Sequence, residues 1–141
     1  MYFKPLLLPL LAQVALSFIV MISMYRTRVT EMKSKHIHPQ KLDTRSSSKE
    51  LLKNSAPAAD NYSNLFELPV LFYTAILLTL ILMVQDSILV ILAWSFVISR
   101  YLHSFVHITY NKVMHRFSVF LFSSFLLLAF WVRLGWIIMQ S

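Results

Sequence analysis

Four separate runs of about twenty apolar residues constrain this chain more than any other feature. They are "PLLLPLLAQVALSFIVMISMY" (Pro5 to Tyr25), "NLFELPVLFYTAILLTLILMV" (Asn64 to Val84), Ser87 to Tyr110 and Phe117 to Met139. The hydrocarbon layer of a bilayer is roughly 30 Å thick, and a helix rising 1.5 Å per residue needs about 20 residues to cross it. No water reaches backbone N–H and C=O groups there, so a span must satisfy them internally, which leaves helices. With 57% hydrophobic residues and one glycine in 141, the composition is too apolar for a soluble domain of this size. The expected fold is an all-α integral membrane protein, a single domain over 1–141 built as a four-transmembrane-helix bundle in the lipid bilayer. The polar stretch 26–61 becomes a long loop between the first two helices.

The first run is longer than a signal-peptide core and no small-x-small cleavage site follows it, so it reads as a retained helix. The chain has no cysteine, which excludes disulfides, thiolate metal sites and a protein thiol nucleophile. Any sulfur chemistry must therefore use a ligand's thiol.

Charge then orients the spans. Arg26, Arg28, Lys33, Lys35, Lys41, Arg45, Lys49 and Lys53 outnumber the acids Glu31, Asp43 and Glu50 in the long loop, and Lys112, His115 and Arg116 lie between helices three and four. The link on the other side, Gln85 to Ser87, carries only an acid. Basic loops stay cytoplasmic, so the long loop is expected inside and both termini outside. On this reading the net charge of +7 reflects topology, and no nucleic-acid partner is implied. His36 and His38, in "HIH", lack a third ligand; a solvated turn before Pro39 is the simpler reading, and no metal site is expected. Arg133, between Trp131 and Trp136, reads as a snorkelling interfacial cation.

The third run raises the functional question. At 3.6 residues per turn, Arg100, His103, His107 and Asn111 share one side of a helix. An Arg inside a span costs about 2.5–3.5 kcal/mol on insertion scales and needs a cavity or counter-charge. Counting from Ser87, Arg100 lies roughly 20 Å deep, toward the cytoplasmic half. Glu67, one turn into helix two, is at a comparable level. Pro69 removes a backbone donor and frees the carbonyl of Leu65, loosening that first turn. Arg26 ends helix one and Arg116 opens helix four, so Arg26, Asn64, Glu67, Arg100, His103, His107 and Arg116 are expected in one layer. Several cations around one carboxylate suit an anionic ligand more than a metal. A zwitterion with two carboxylates and one ammonium, such as glutathione, has that character, and it brings the thiol that the chain lacks.

The motifs behind this layer also resemble those of the membrane-associated eicosanoid and glutathione metabolism (MAPEG) superfamily, which includes microsomal glutathione transferases. Asn-x-x-Glu followed by Pro is present as "NLFELP" (Asn64 to Pro69), Arg-x-x-His as "RYLH" (Arg100 to His103), with Arg116 opening helix four and Arg26, or Arg28, closing helix one. The resemblance covers all four helices. It implies a homotrimer with glutathione between neighbouring subunits near the cytoplasmic face, and a transferase or peroxidase acting on a lipophilic small-molecule substrate. Arg26, Asn64, Glu67, Arg100, His103 and His107 would bind glutathione, and Arg116 would stabilise its thiolate. This chain departs from the pattern at Ser63, where many relatives carry Arg, at His107, where they carry Tyr, and at Phe120, four residues after Arg116.

Other readings of the same residues stand beside this one. Asn64 and Glu67 have the spacing of a capping box. Arg100 with Glu67 can be a structural ion pair, and Lys112 a positive-inside anchor. The competing function is a non-catalytic membrane module whose buried polar layer specifies oligomer assembly.

Overall fold

The computed structural model describes residues 4–140. Residues 1–3 and Ser141 lie outside them, so the expected placement of the two terminal ends falls partly beyond the described chain. The described residues form six α-helices: α1 (Lys4–Ser34), α2 (Arg45–Leu51), α3 (Ala56–Asn64), α4 (Leu68–Ile81), α5 (Ser87–Ile108) and α6 (Val113–Gln140), with a 3-10 turn at Pro39–Leu42. Four segments are long and apolar enough to cross a membrane: Pro5–Ser34, Ala56–Ile81, Ser87–Ile108 and Val113–Gln140. The chain is an all-α, four-span membrane helix bundle.

The core lies at the end of the bundle away from the long loop. Phe72 of α4 stacks on Phe96 of α5 at 4.7 Å between ring centroids, surrounded by Ala75, Ile76, Ala93, Val97, Leu127, Phe130 and Leu134. Lipid is as apolar as these side chains, so helix association rests on close packing and on small residues at the contacts. Ala75, Ala93 and Ser123 fill that role, all fully buried. The buried hydroxyls among them bond back to their own helices: Thr79 to the Ala75 carbonyl at 2.7 Å, and Ser99 to that of Phe96 at 2.6 Å. The outward faces carry Leu, Ile and Phe in open exposure, as a lipid-facing surface requires.

Helix four begins at Val113, four residues before the hydropathy pattern places it, and helix three ends at Ile108, which leaves Asn111 in the turn; two elements differ more. Helix one continues beyond Tyr25 to Ser34, because nothing between Arg26 and Ser34 breaks a helix, and the chain turns only at His36, where φ is 51°. Helix two begins at Ala56 and is interrupted: α3 ends at Asn64, residues 65–67 form a turn, and α4 starts at Leu68. Pro69 accounts for the interruption, since its ring clashes with the carbonyl four residues earlier and it has no N–H to give. Asn64 is therefore the last residue of α3 rather than an N-cap, and Glu67 precedes α4 without a side-chain cap bond. The capping-box reading is not realised. Instead, the break turns the Asn64 carbonyl toward the bundle interior, where Arg100 reaches it, and leaves the Glu67 side chain exposed at the long-loop end of the bundle.

The 26–61 stretch is mostly helical rather than a plain loop. Glu31, buried on α1, accepts from Lys35 Nζ at 2.5 Å and from the backbone N–H groups of Asn54 at 3.0 Å and Ser55 at 2.8 Å. One carboxylate thus ties the end of α1 to the start of α3. α2 is set by Thr44, whose hydroxyl accepts from Ser47 N in a reciprocal capping box.

Candidate functional site

Arg100 is fully buried on the inner face of α5. Its Nη2 donates to the Asn64 carbonyl at 3.4 Å, and its guanidinium carbon lies 5.9 Å from the centre of the Phe120 ring. Nε and Nη1 have no hydrogen-bond partner among the described residues. Leaving a buried donor unpaired costs about 1–3 kcal/mol, and more when the group is charged. The ion pair with Glu67 is not formed. Glu67 is exposed, and the ion pairs among the described residues are Lys35–Glu31, Lys49–Asp60 and Arg133–Asp86. Glu67 acts on Arg100 only through space. The reason is local: the turn at 65–67 offers Arg100 a backbone carbonyl and turns the carboxylate toward the mouth of the site.

The two histidines are buried one turn apart, with ring centroids 5.5 Å from each other. His103 Nδ1 lies 3.2 Å from the Arg116 carbonyl. A carbonyl can only accept, so Nδ1 carries the proton and donates, which leaves Nε2 as the free ring nitrogen. His107 Nε2 stands 3.4 Å from the Asn64 side-chain amide. One turn along the same face of α5, Ser104 donates to Asn61 Oδ1 at 3.1 Å, extending the polar seam between α3 and α5.

Arg116, in the first turn of α6, is half-buried, and its Nη1 donates to Asn111 Oδ1 at 2.7 Å. It stands where two cavities meet. The larger, about 460 Å³, opens under the long loop and takes its charge from Arg28, Arg45, Lys49, Asp60, Glu67 and Arg116. The smaller, about 230 Å³, is lined by Val113, Phe117 and Phe120 together with Asn64, Glu67, His103 and Arg116. Asn64, Glu67 and Arg116 are common to both. A polar chamber and an apolar crevice therefore share one wall, and the wall carries a guanidinium and a carboxylate.

Six of the seven residues singled out from the sequence, all but Arg26, converge on this region. Arg26 is exposed and lines neither cavity, whereas Arg28, two residues on, is half-buried against the larger one with an unpartnered buried Nε. Residues two apart on a helix point about 200° apart, so one helix can turn only one of the pair inward. Arg45, Lys49 and Asp60 were not foreseen as part of the chamber. Their signal was the i,i+4 spacing of Arg45 and Lys49, which is visible only once a helix is known to exist there.

This layout comes from a chain whose residues 6–136 match the pattern of the MAPEG family. The chain belongs to that family. No curated protein and no solved structure matches it. MAPEG membership, over nearly the whole chain, supports a general glutathione-transferase-like or peroxidase-like role. Of the residues lining the crevice, Phe120 bears most directly on the charged layer. It places an apolar ring beside Arg100 and His103 at the wall of the crevice, 6.2 Å from the His103 ring.

Proposed function

We propose that this chain is a glutathione-binding integral membrane enzyme, a transferase or peroxidase acting on a lipophilic electrophile or hydroperoxide. The observation that supports it most is Arg100, a fully buried guanidinium in a membrane span with two nitrogens unpartnered and no carboxylate in contact. Within the described chain the guanidinium meets only the Asn64 carbonyl, which leaves two of its nitrogens available to an anion. The donor set suits an anion: Arg28, Arg45, Lys49 and Arg116 in the chamber wall against two carboxylates, Asp60, which pairs with Lys49, and the exposed Glu67 at the mouth, with Arg100 bonded to the lining residue Asn64.

Arg100 and a helix-one arginine would hold the two carboxylates of glutathione, and Glu67 its ammonium. Within one subunit the helix-one arginine is Arg28; the exposed Arg26 serves a neighbouring subunit's site in the homotrimer. Asn64, His103 and His107 orient the peptide. Bound glutathione supplies a thiolate, which is a nucleophile toward an electrophile and a reductant toward a hydroperoxide. Arg116 stabilises that negative charge, and the apolar crevice at Val113, Phe117 and Phe120 admits a second substrate from the bilayer. The basic loop, and with it the chamber mouth, faces the cytoplasm.

The purified protein is to be assayed with glutathione against a panel of lipophilic electrophiles and hydroperoxides. Turnover saturable in glutathione, reduced about a hundredfold by Arg116→Leu, is the expected result, the size seen when a preorganised charge stabiliser is removed. Absence of turnover across the panel in protein that binds glutathione would favour the non-catalytic module. The orientation has its own check: a cysteine introduced at Lys41 in this cysteine-free chain should react with a membrane-impermeant reagent only after cells are opened. Labelling on intact cells would invert the topology.

A further inference from the structure

Arg116 is gripped from two sides. His103 holds its backbone carbonyl at 3.2 Å, and Asn111 takes its side chain at 2.7 Å. Asn111 lies in the turn between α5 and α6, half-buried, with φ at 48° and its own N–H donating to the Val106 carbonyl at 2.9 Å. Asparagine is among the few non-glycine residues that enter this left-handed region readily. The turn therefore presents an amide oxygen at a fixed place before α6 begins.

The identity of that acceptor matters. A guanidinium on a long, rotatable side chain can be fixed equally well by a carboxylate, but a carboxylate would also neutralise it. Around Arg116 the acids are Asp60 and Glu67, the histidines His103 and His107, and the other cations include Arg28 and Arg100. Neither acid is within ion-pair distance of Arg116, and the contact acceptor is neutral. We propose that Asn111 is the positioning residue for Arg116: its amide oxygen orients the guanidinium at the junction of the two cavities and leaves the positive charge available to a sulfur anion. This rests on the glutathione reading above.

Two substitutions separate aim from charge. Asn111→Gly removes the acceptor while keeping the turn, because glycine adopts φ near 48° without strain. Asn111→Asp keeps an acceptor oxygen and adds a carboxylate against Arg116. The measurement is the absorbance of the thiolate of glutathione bound to the purified protein, titrated over pH, alongside glutathione affinity and ligand-free thermal unfolding. The ionisation midpoint should rise by about one pH unit in Asn111→Asp, tenfold less thiolate at a given pH below the midpoint, as expected when a partner carboxylate offsets the stabilising cation. Asn111→Gly should raise it less, with the unfolding midpoint unchanged or higher. Identical ionisation midpoints in wild type and both variants would overturn the proposal. So would lower unfolding midpoints without any change in ionisation, since the bond would then be structural only. Wild-type protein that binds no glutathione would instead remove the functional reading, and this inference with it, a result distinct from normal binding with unmoved ionisation.

Discussion

Arg133 and Asp86 are 47 residues apart in the chain and in contact at the end of the bundle opposite Arg116: Arg133 Nη2 donates to Asp86 Oδ2 at 2.7 Å. The other oxygen of Asp86 accepts from Leu89 N at 3.0 Å, capping α5. A lone Arg between two Trp residues reads from sequence as a snorkelling cation, and only the antiparallel packing of α5 against α6 reveals its partner. The Arg133 hydrogen bond, with the cap bond to Leu89 and the nearby positive charge, holds the Asp86 carboxyl below the usual carboxylate range against the opposing effect of burial. A carboxyl depressed in the folded state adds stability above its unfolded pKa of about 4, and that stability is lost as pH falls through the lower folded value. Asp86→Ala should therefore cost about 1–2 kcal/mol near pH 7, from the cap and the charged bond together. Asp86→Asn, which keeps the cap, should cost less. Unfolding curves of wild type and Asp86→Asn should converge as pH drops below 4; a gap that persists in acid would mean that the ion pair contributes little. The Arg26 and Arg28 alternative belongs to the same scale, since sequence spacing names both and only the helix phase of α1 selects Arg28 for the chamber.

At the scale of elements, hydropathy located the membrane crossings because lipid demands long apolar runs, and it was blind to whatever continues into water. The extension of α1 to Ser34 and the short α2 are held by polar contacts, above all the Glu31 carboxylate, which spans 23 and 24 residues to Asn54 and Ser55. Such long-range pairings leave no local pattern beyond the i,i+4 spacing of Glu31 and Lys35. Glu31→Ala should cost about 2–3 kcal/mol, because it leaves the buried Ser55 N–H unpaired and frees the base of the 36–53 excursion. Amide exchange should then speed up from Lys35 through Ser55 and stay unchanged in α4 to α6. Uniform acceleration over all helices would show that Glu31 supports the whole bundle. The break at 65–67 was half legible: Pro69 announced a loosened turn, but not that a helix would precede it from Ala56.

For the molecule as a whole, the legible parts were the four spans and the gathering of polar residues at one end, both consequences of what a bilayer forbids. The chamber was less so. Arg45, Lys49 and Asp60 enter it through elements that sequence periodicity does not reveal, and Glu67 stands at its mouth rather than against Arg100 because the backbone turns there. In this chain of the MAPEG family a buried cation, Arg100, bonds the carbonyl of Asn64, a residue that lines both the charged chamber and the apolar crevice. The proposed function makes Arg100 a ligand-binding cation. The most direct measurement is glutathione binding to the detergent-purified protein by calorimetry, with Arg100→Leu as the comparison and thermal unfolding to show that both are folded. Saturable binding is expected in wild type, weakened at least tenfold in Arg100→Leu, the loss expected when a charge-assisted hydrogen bond is removed. Equal affinity in a folded Arg100→Leu variant, or no binding to a folded wild type, would contradict it.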